Sequence, residues 1–213
     1  MMVNQNSDPG CRRRRTVNTG GFLARSTVNG PGIRAVVWVQ GCPLRCAGCF
    51  NQQFWSFCRA ERIPIPELAA RVFAVPGIDG VTFSGGEPFA QAGALAQLGT
   101  LIRDAGLSVV TFTGYSAEEL FATERDSWRR LISVTDLLIA GPYVQELACA
   151  DPLIASSNQR VIPLSGRIPA DSGNRDRQTA PVEFSISPDG TFTTTGFPDR
   201  QLAGVIASLG QEE

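Results

Sequence analysis

The chain has 213 residues, of which 43% are hydrophobic, 18% charged and 8% aromatic. This length fits one domain with a sizeable core, and the composition excludes a disordered chain, a coiled coil and a collagen-like fibre. The sequence has no His and its 19 basic residues are all Arg, which excludes Ser-His-Asp and Cys-His catalysis, His-bearing zinc sites, lysine Schiff bases and the P-loop with its Lys. Any chemistry must therefore use Cys, carboxylates, Arg, hydroxyls, the backbone or a cofactor.

The net charge of −1 is unevenly distributed, because Asp8 and the run Arg12–Arg15 give residues 1–18 a charge of +3 and leave −4 for the rest. We predict that residues 1–18 form a disordered, Arg-rich tail. The body lacks the broad basic surface that binding to nucleic acid usually needs, so no nucleic-acid partner is expected. No apolar stretch of about 20 residues occurs, so we expect no membrane association and a cytoplasmic protein.

The predicted elements alternate between short apolar strands and helices. In chain order they are a buried strand 33–39, a cysteine loop, a helix 66–75, a strand 80–83, a helix 89–105, a strand 107–113, helices 117–122 and 127–134, a strand 136–140, a hairpin 182–196 around Pro188-Asp189-Gly190, and a short final helix. Such alternation predicts βα units and a parallel sheet.

The predicted fold class is α/β, with an incomplete (β/α) barrel. A full eightfold barrel takes about 250 residues, and the βα part here ends near residue 164. One side of the barrel would then be open, wide enough to admit something larger than a metabolite. We divide the chain into the tail 1–18, the partial barrel 19–164 and an extension 165–213 with a loop, the hairpin and the helix.

Six cysteines are present, and Cys42, Cys46 and Cys49 fall within eight residues. This clustering is typical of one metal centre in a reducing compartment rather than of disulfides that join distant parts of a chain. Thiolates favour zinc, copper(I) or iron–sulfur clusters. Three thiolates on a [4Fe–4S] cluster leave one iron able to bind another ligand. With Cys58 as a fourth thiolate, the site would instead be a closed zinc or electron-transfer centre.

The motifs around the cysteines carry a family resemblance. The spacing Cys42-x3-Cys46-x2-Cys49 after a strand, with Gly85-Gly86-Glu87-Pro88 at the end of the next, resembles the radical S-adenosylmethionine (SAM) superfamily. Within it, the glycyl-radical-enzyme activases, and among these the activases of anaerobic ribonucleotide reductase, are the most similar. The motifs that carry the closer resemblance are GPGIR 30–34, QGC 40–42, CFN 49–51, TGY 113–115 with EEL 118–120, GPYVQ 141–145 and SSNQ 156–159. This chain departs from many superfamily members at Gly48, where they carry an aromatic residue, and its hairpin extends beyond the compact reductase activases.

The resemblance implies that Cys42, Cys46 and Cys49 hold a [4Fe–4S] cluster whose fourth iron binds the amino and carboxylate groups of SAM. It implies no catalytic residue beyond the cluster and SAM. The residues that it places at the cofactors are Arg34, Phe50, Asn51, Gly85, Gly86, Glu87, Pro88 and Thr113.

The resemblance also implies a function. The reduced cluster cleaves SAM to a 5′-deoxyadenosyl radical, which installs a glycyl radical on a partner such as anaerobic ribonucleotide reductase. The electron donor is expected to be a flavodoxin- or ferredoxin-type protein. Two alternatives stay open: a radical SAM enzyme that modifies a small molecule or peptide, and a non-catalytic four-thiolate metal or electron-transfer protein that uses Cys58.

Overall fold

A computed structural model describes residues 16–58, 61–169, 181–186 and 192–196, together with Leu202 and Val205. The run Arg12–Arg15, Cys11 and the predicted turn 188–190 lie outside these residues. The predicted tail extended too far, because residues 16–18 begin a strand.

Seven strands form one mixed sheet in the order β3-β1-β2-β4-β5-β6-β7, and β8 and β9 form a separate hairpin. The central strands β2, β4, β5 and β6 run parallel, whereas β1, β3 and β7 pair antiparallel with their neighbours. The strands are β1 (Thr16–Ser26), β2 (Arg34–Val39), β3 (Glu61–Pro64), β4 (Gly80–Gly85), β5 (Ser108–Thr113), β6 (Leu137–Ala140), β7 (Arg160–Pro163), β8 (Val182–Ile186) and β9 (Phe192–Gly196). The fold is therefore mixed α/β with a parallel centre.

Four α-helices connect the parallel strands and cover one face of the sheet. They are α1 (Ile65–Phe73), α2 (Ala92–Asp104), α3 (Ala117–Phe121) and α4 (Asp126–Val134), and short 3₁₀ helices span Gln52–Phe54, Pro88–Gln91 and Gln145–Leu147. The buried positions of α1 are Ile65, Leu68, Ala69 and Val72, which is the spacing of an apolar stripe at 3.6 residues per turn. The predicted helices and parallel strands are confirmed to within a few residues at each end.

The core explains why the central strands are continuously apolar. All six residues of β2 are buried. Ala35, Val37 and Val39 belong to the larger of two apolar clusters, into which the helices pack. The larger cluster includes Val37, Phe83 and Leu95. The smaller one contains Val110, Leu137, Ile139 and Ile168.

The outer strands β1 and β3 were not predicted. β1 contains two adjacent glycines, buries its residues irregularly and pairs with β2 through two register shifts. β3 is four residues long and buries only Ile63. Neither strand has the period-two apolar pattern on which a strand prediction depends.

The predicted hairpin is confirmed as β8 and β9. It is joined to the segment before β2: the Thr27 amide donates to Glu183 Oε1 at 2.9 Å, and Asn29 Nδ2 donates to Thr195 Oγ1 at 2.8 Å. Leu202 and Val205 are helical, and the rest of the predicted final helix lies outside the described residues. Within the described residues, no helix is long and apolar enough to cross a membrane.

Candidate iron–sulfur site

The candidate site lies at one edge of the sheet, where the four parallel strands end. The cysteine loop follows β2, Gly86-Glu87-Pro88 follows β4, Gly114-Tyr115 follows β5, and residues 141–145 follow β6. Parallel strands place their carboxyl ends at the same edge, which is where α/β sheets and barrels bind ligands. Motifs that are about 100 residues apart in the chain therefore meet in the fold.

The glycines after β4 allow this loop to lie directly against the start of the cysteine loop. The amide of Gly86 donates to Val39 O at 2.7 Å, and that of Glu87 donates to Gly41 O at 2.9 Å. A Cβ at position 86 would lie 2.5 Å from Gly41 O, and Gly85 has a φ of +96°. Both positions therefore require glycine. Pro88 begins the buried 3₁₀ turn that follows.

The Glu87 carboxylate links the ends of β4 and β5. The side chain is 1% exposed, and its Oε1 accepts hydrogen bonds from the Phe89 amide at 2.8 Å and the Thr113 hydroxyl at 2.9 Å. Its Oε2 accepts from the Gly114 amide at 2.9 Å. Glu87 and Thr113 are thus hydrogen-bonded to each other. The sequence predicted that each contacts SAM and did not predict this bond.

Burial raises the pKa of Glu87 to about 7, although its three hydrogen bonds favour the charged form. Between its ordinary value of 4.5 and about 7, the folded protein holds a proton that the unfolded chain has lost. The free energy of unfolding should therefore fall by about 3 kcal/mol as the pH rises through this window. Urea unfolding of the metal-free protein at pH 5 and pH 8 measures it. In Glu87→Gln this contribution should vanish, whereas the exposed control Glu124→Gln should keep it; equal pH dependence in both variants would contradict the assignment.

Backbone amides point at each of the three clustered sulfurs. The amides of Leu44 and Arg45 hydrogen-bond to the Cys42 thiol, and that of Tyr143 bonds to the Cys46 thiol. The amide of Asn51 donates to Cys49 Sγ at 3.4 Å. Such donors stabilise thiolates and are the usual surroundings of an iron–sulfur cluster.

The thiols of Cys42 and Cys46 would need a metal to become deprotonated. Burial raises the pKa of the Cys42 and Cys46 thiols, and neighbouring Glu87 and cysteine side chains raise it further. Metal coordination deprotonates a thiol outright. Among the described residues, no three His, Cys, Asp or Glu side chains are placed to hold a single metal ion. A multi-iron cluster distributes its thiolates over separate irons, so the donor set of these three cysteines fits a [4Fe–4S] cluster.

Two contacts hold the cysteine loop against its neighbours. A Cβ at Gly114 would lie 2.4 Å from Leu44 Cδ1, and a Cβ at Gly48 would lie 2.6 Å from Gln145 Oε1. Gly48 also has a φ of +72°. An aromatic residue at position 48 would need a left-handed backbone conformation and would have to displace the Gln145 amide, which gives a physical reason for the departure noted in the sequence.

The remaining residues of the loop differ in their surroundings. Phe50 is 37% exposed and its ring is tilted against that of Tyr143 at 5.5 Å. Asn51 caps the 3₁₀ helix that follows, and its backbone rather than its side chain reaches Cys49. Cys58 is exposed, and its amide donates to Ser56 Oγ at 3.2 Å.

The prediction that Arg34 binds a cofactor is wrong. Arg34 stands at the start of β2, at the opposite edge of the sheet from the cysteine loop, and is 1% exposed. Its guanidinium donates to the side chain of Thr82, to the carbonyls of Pro31, Val81 and Ser108, and to the Ser108 hydroxyl at 2.8–3.1 Å. Burial lowers its pKa to about 10, opposed by the nearby carboxylates of Asp79 and Asp136. Arg34 therefore ties together the first ends of β2, β4 and β5.

The sequence predicted no role for the side chains of residues 141–145 and 156–159, which follow β6. Residues 141–145 touch the cysteine loop, and Ser156, Asn158 and Gln159 hydrogen-bond to residues 141–144. The motifs GPYVQ and SSNQ were the available signal. The partners of GPYVQ on the cysteine loop lie about 100 residues earlier, so the motifs alone could not show the contact.

Comparison with known proteins agrees with this geometry. The family model "4Fe-4S single cluster domain" matches residues 28–162. The anaerobic ribonucleoside-triphosphate reductase-activating protein of Vibrio cholerae is 32% identical over 130 residues, covering 57% of this chain and 81% of that protein. Its counterpart in Enterobacteria phage T4 is 28% identical over 142 residues, covering 63% and 86%.

Two further comparisons are less complete. The pyruvate formate-lyase-activating enzyme of Listeria monocytogenes is 35% identical over 121 residues, covering 53% of this chain but 48% of that protein, so this chain spans about half its length. The solved structure of QueE from Escherichia coli aligns over 52% of this chain and 59% of that chain with a TM-score of 0.35 and 16% identity. That likeness adds nothing to the fold described above.

The fold and the three-thiolate loop define an iron–sulfur enzyme of the radical SAM type. The chain belongs to the 4Fe-4S single cluster domain family, and its relatives are activases of glycyl radical enzymes. Its cofactors are a [4Fe–4S] cluster and SAM, as the motifs predicted.

Proposed function

We propose that this protein installs a glycyl radical on a partner enzyme of the anaerobic ribonucleotide reductase type. The observation that carries the proposal is the meeting of three amide-bonded cysteine sulfurs with the Gly85-Gly86-Glu87-Pro88 loop at one sheet edge. The reductase type is favoured over the pyruvate formate-lyase type because the chain covers 81% and 86% of two reductase activases but 48% of the lyase activase.

Some residues of the site would bind the cluster, and others would shape the binding site for SAM. Cys42, Cys46 and Cys49 would each hold one iron. With the cluster and SAM bound, the site would supply one-electron reductive cleavage of SAM, with methionine as the leaving group and 5′-deoxyadenosine as the acceptor of a hydrogen atom from the partner's glycine. Gly85 and Gly86 let the backbone approach SAM closely, and carbonyls of this loop would accept hydrogen bonds from its ammonium group.

In this proposal Glu87 does not contact SAM directly but positions the residues that do. Its carboxylate already accepts three hydrogen bonds from the chain, so it fixes the loop after β4 relative to Thr113 and Gly114. Phe50, which is partly exposed beside Tyr143, and Asn51 complete the wall next to the cluster.

We further propose that the parallel strands form an incomplete barrel whose open side admits the partner's glycine loop. Residues 19–164 would be the body that carries the site, and residues 165–213 an extension. A flavodoxin- or ferredoxin-type protein would supply the electron. The clustered thiols favour a reducing compartment such as the cytoplasm.

The hairpin favours a second candidate function. β8 and β9 follow the end of the family match at residue 162, so a part of this chain that the family model does not include is folded onto the segment before β2. An added element of this kind suits a radical SAM enzyme that modifies a small molecule or peptide. The closed four-thiolate centre has less support, because Cys58 is exposed.

Electron paramagnetic resonance of the partner tests the proposed function. The reconstituted protein, SAM and a reductant are incubated anaerobically with a purified anaerobic ribonucleotide reductase. A glycine-centred doublet is expected, with none when the Cys46→Ala protein replaces the wild type. If SAM is cleaved but no doublet forms with any glycyl radical enzyme encoded near this gene, the second candidate takes its place.

A further inference from the structure

We propose that Asn158 and Gln159 are positioning residues that raise the reduction potential of the cluster, acting through the loop that follows β6. This inference rests on the proposed function only in requiring the cluster. Neither side chain hydrogen-bonds a cysteine among the described residues, so each would act through residues 141–145.

The loop 141–145 contacts the cysteine loop at three points. The Tyr143 amide bonds to the Cys46 sulfur. The Tyr143 ring lies 5.5 Å from that of Phe50, on the residue after Cys49. The Gln145 side chain packs against Gly48, where a Cβ would lie 2.6 Å from its Oε1. The loop therefore covers the second half of the cysteine motif.

Two side chains clamp this loop in place. Gln159 Nε2 donates to Gly141 O at 2.9 Å, and Asn158 Nδ2 donates to Pro142 O at 2.8 Å. Gln159 Oε1 also accepts from the amides of Ala155 at 2.8 Å and Ser156 at 3.2 Å. Gln159 thus bridges the two loops with both ends of its amide.

A third contact comes from Ser156, whose hydroxyl accepts a hydrogen bond from the Val144 amide at 3.2 Å. Contacts from residues 156–159 therefore reach Gly141, Pro142 and Val144, on both sides of Tyr143. The amide of Tyr143 is held toward Cys46 by this arrangement, because the backbone before and after it is fixed.

Hydrogen bonds to cluster sulfurs favour the more negative, reduced state and so raise the reduction potential. Without the clamp, Tyr143 would be free to turn its amide to water, and the Cys46 sulfur would lose a donor. The potential would then become more negative, and the cluster would be harder to reduce.

A redox titration of the reconstituted protein, followed by electron paramagnetic resonance and carried out without SAM or partner, tests this inference. Gln159→Ala and Asn158→Ala should both shift the potential to more negative values. Gln159→Glu puts a carboxylate oxygen against the Gly141 carbonyl and adds a negative charge, so its potential should be at least as negative as that of Gln159→Ala. The control is Gln97→Ala, since Gln97 makes one exposed hydrogen bond within α2; its potential should equal that of wild type.

Wild-type potentials in both Gln159→Ala and Asn158→Ala would overturn the inference. If a variant fails to bind iron, hydrogen exchange of the metal-free proteins decides: faster exchange of the Tyr143 amide supports the clamp, and unchanged exchange overturns it. Because neither measurement involves SAM, a failure to cleave SAM would overturn the proposed function and leave this inference standing.

Discussion

Replacing Cys46 by Ala is expected to abolish the iron–sulfur cluster, whereas Cys58→Ala should leave it in place. Cys46 lies between Cys42 and Cys49 in the loop, and its sulfur is met by the Tyr143 amide. Removing one of three thiolates leaves an iron without its protein ligand, and the chain has no His to replace it. Iron and sulfide content after anaerobic reconstitution, with the visible absorption of the cluster, measures the effect.

The two variants together separate an open cluster from a closed four-thiolate centre. Cys58 is exposed, and its amide bonds locally to Ser56. Cys58→Ala should therefore keep wild-type iron content. Loss of iron as severe as in Cys46→Ala would mean that Cys58 is a ligand, and the non-catalytic alternative would then be correct. Cys149→Ala provides a matched control, since Cys149 is also a free thiol outside the loop.

Replacing Arg34 by Ala is expected to lower the free energy of unfolding by about 3–5 kcal/mol, because it leaves buried acceptors without a donor and opens a cavity. The carbonyls of Val81 and Ser108 each lose a hydrogen bond from the same nitrogen. The matched control is Arg62→Ala, since Arg62 is an exposed residue of β3, and its stability should change by less than about 0.5 kcal/mol. Urea denaturation measures both.

A further variant, Arg34→Lys, tests whether Arg34 contacts a cofactor. Lysine keeps the positive charge but has fewer hydrogen-bond donors, so Arg34→Lys should fold and be destabilised less than Arg34→Ala. At a temperature where Arg34→Lys is folded, its iron content and its half-saturating SAM concentration should match those of wild type. A weakened affinity for SAM in a fully folded, fully loaded Arg34→Lys protein would restore the original assignment.

The parts of the site that the sequence predicts are those that are local in the chain. The cysteine motif spans eight residues, so its clustering alone indicates a metal centre, and the family resemblance adds Gly85-Gly86-Glu87-Pro88 at the end of β4. β2 was predicted correctly because its residues after Arg34 are all apolar, as expected of a strand buried on both faces.

The roles that the sequence could not predict depend on contacts between distant residues. Arg34 hydrogen-bonds to Thr82 and Ser108, which are 48 and 74 residues away in the sequence. No sequence pattern around Arg34 predicts these partners. The motif predicts that Glu87 contacts SAM, yet the partners of its carboxylate, Thr113 and Gly114, are 26 and 27 residues further on. Burial and donor geometry decided both roles, and neither property is local.

The strand β1, which lies between β3 and β2, was not predicted for a different reason. Its glycines and polar residues carry no period, and its pairing with β2 is broken by register shifts. Its stability comes from its neighbours on both sides, β2 and β3, so its conformation depends on tertiary context more than on its own residues.

Mass spectrometry of 5′-deoxyadenosine shows whether the cluster held by Cys42, Cys46 and Cys49 cleaves SAM. The wild-type protein and the Cys46→Ala and Cys58→Ala variants are reconstituted anaerobically, reduced and given SAM, with and without an anaerobic ribonucleotide reductase. We expect 5′-deoxyadenosine from wild type and from Cys58→Ala, and none from Cys46→Ala. A fully assembled, reducible wild-type cluster that forms none under either condition would contradict the account.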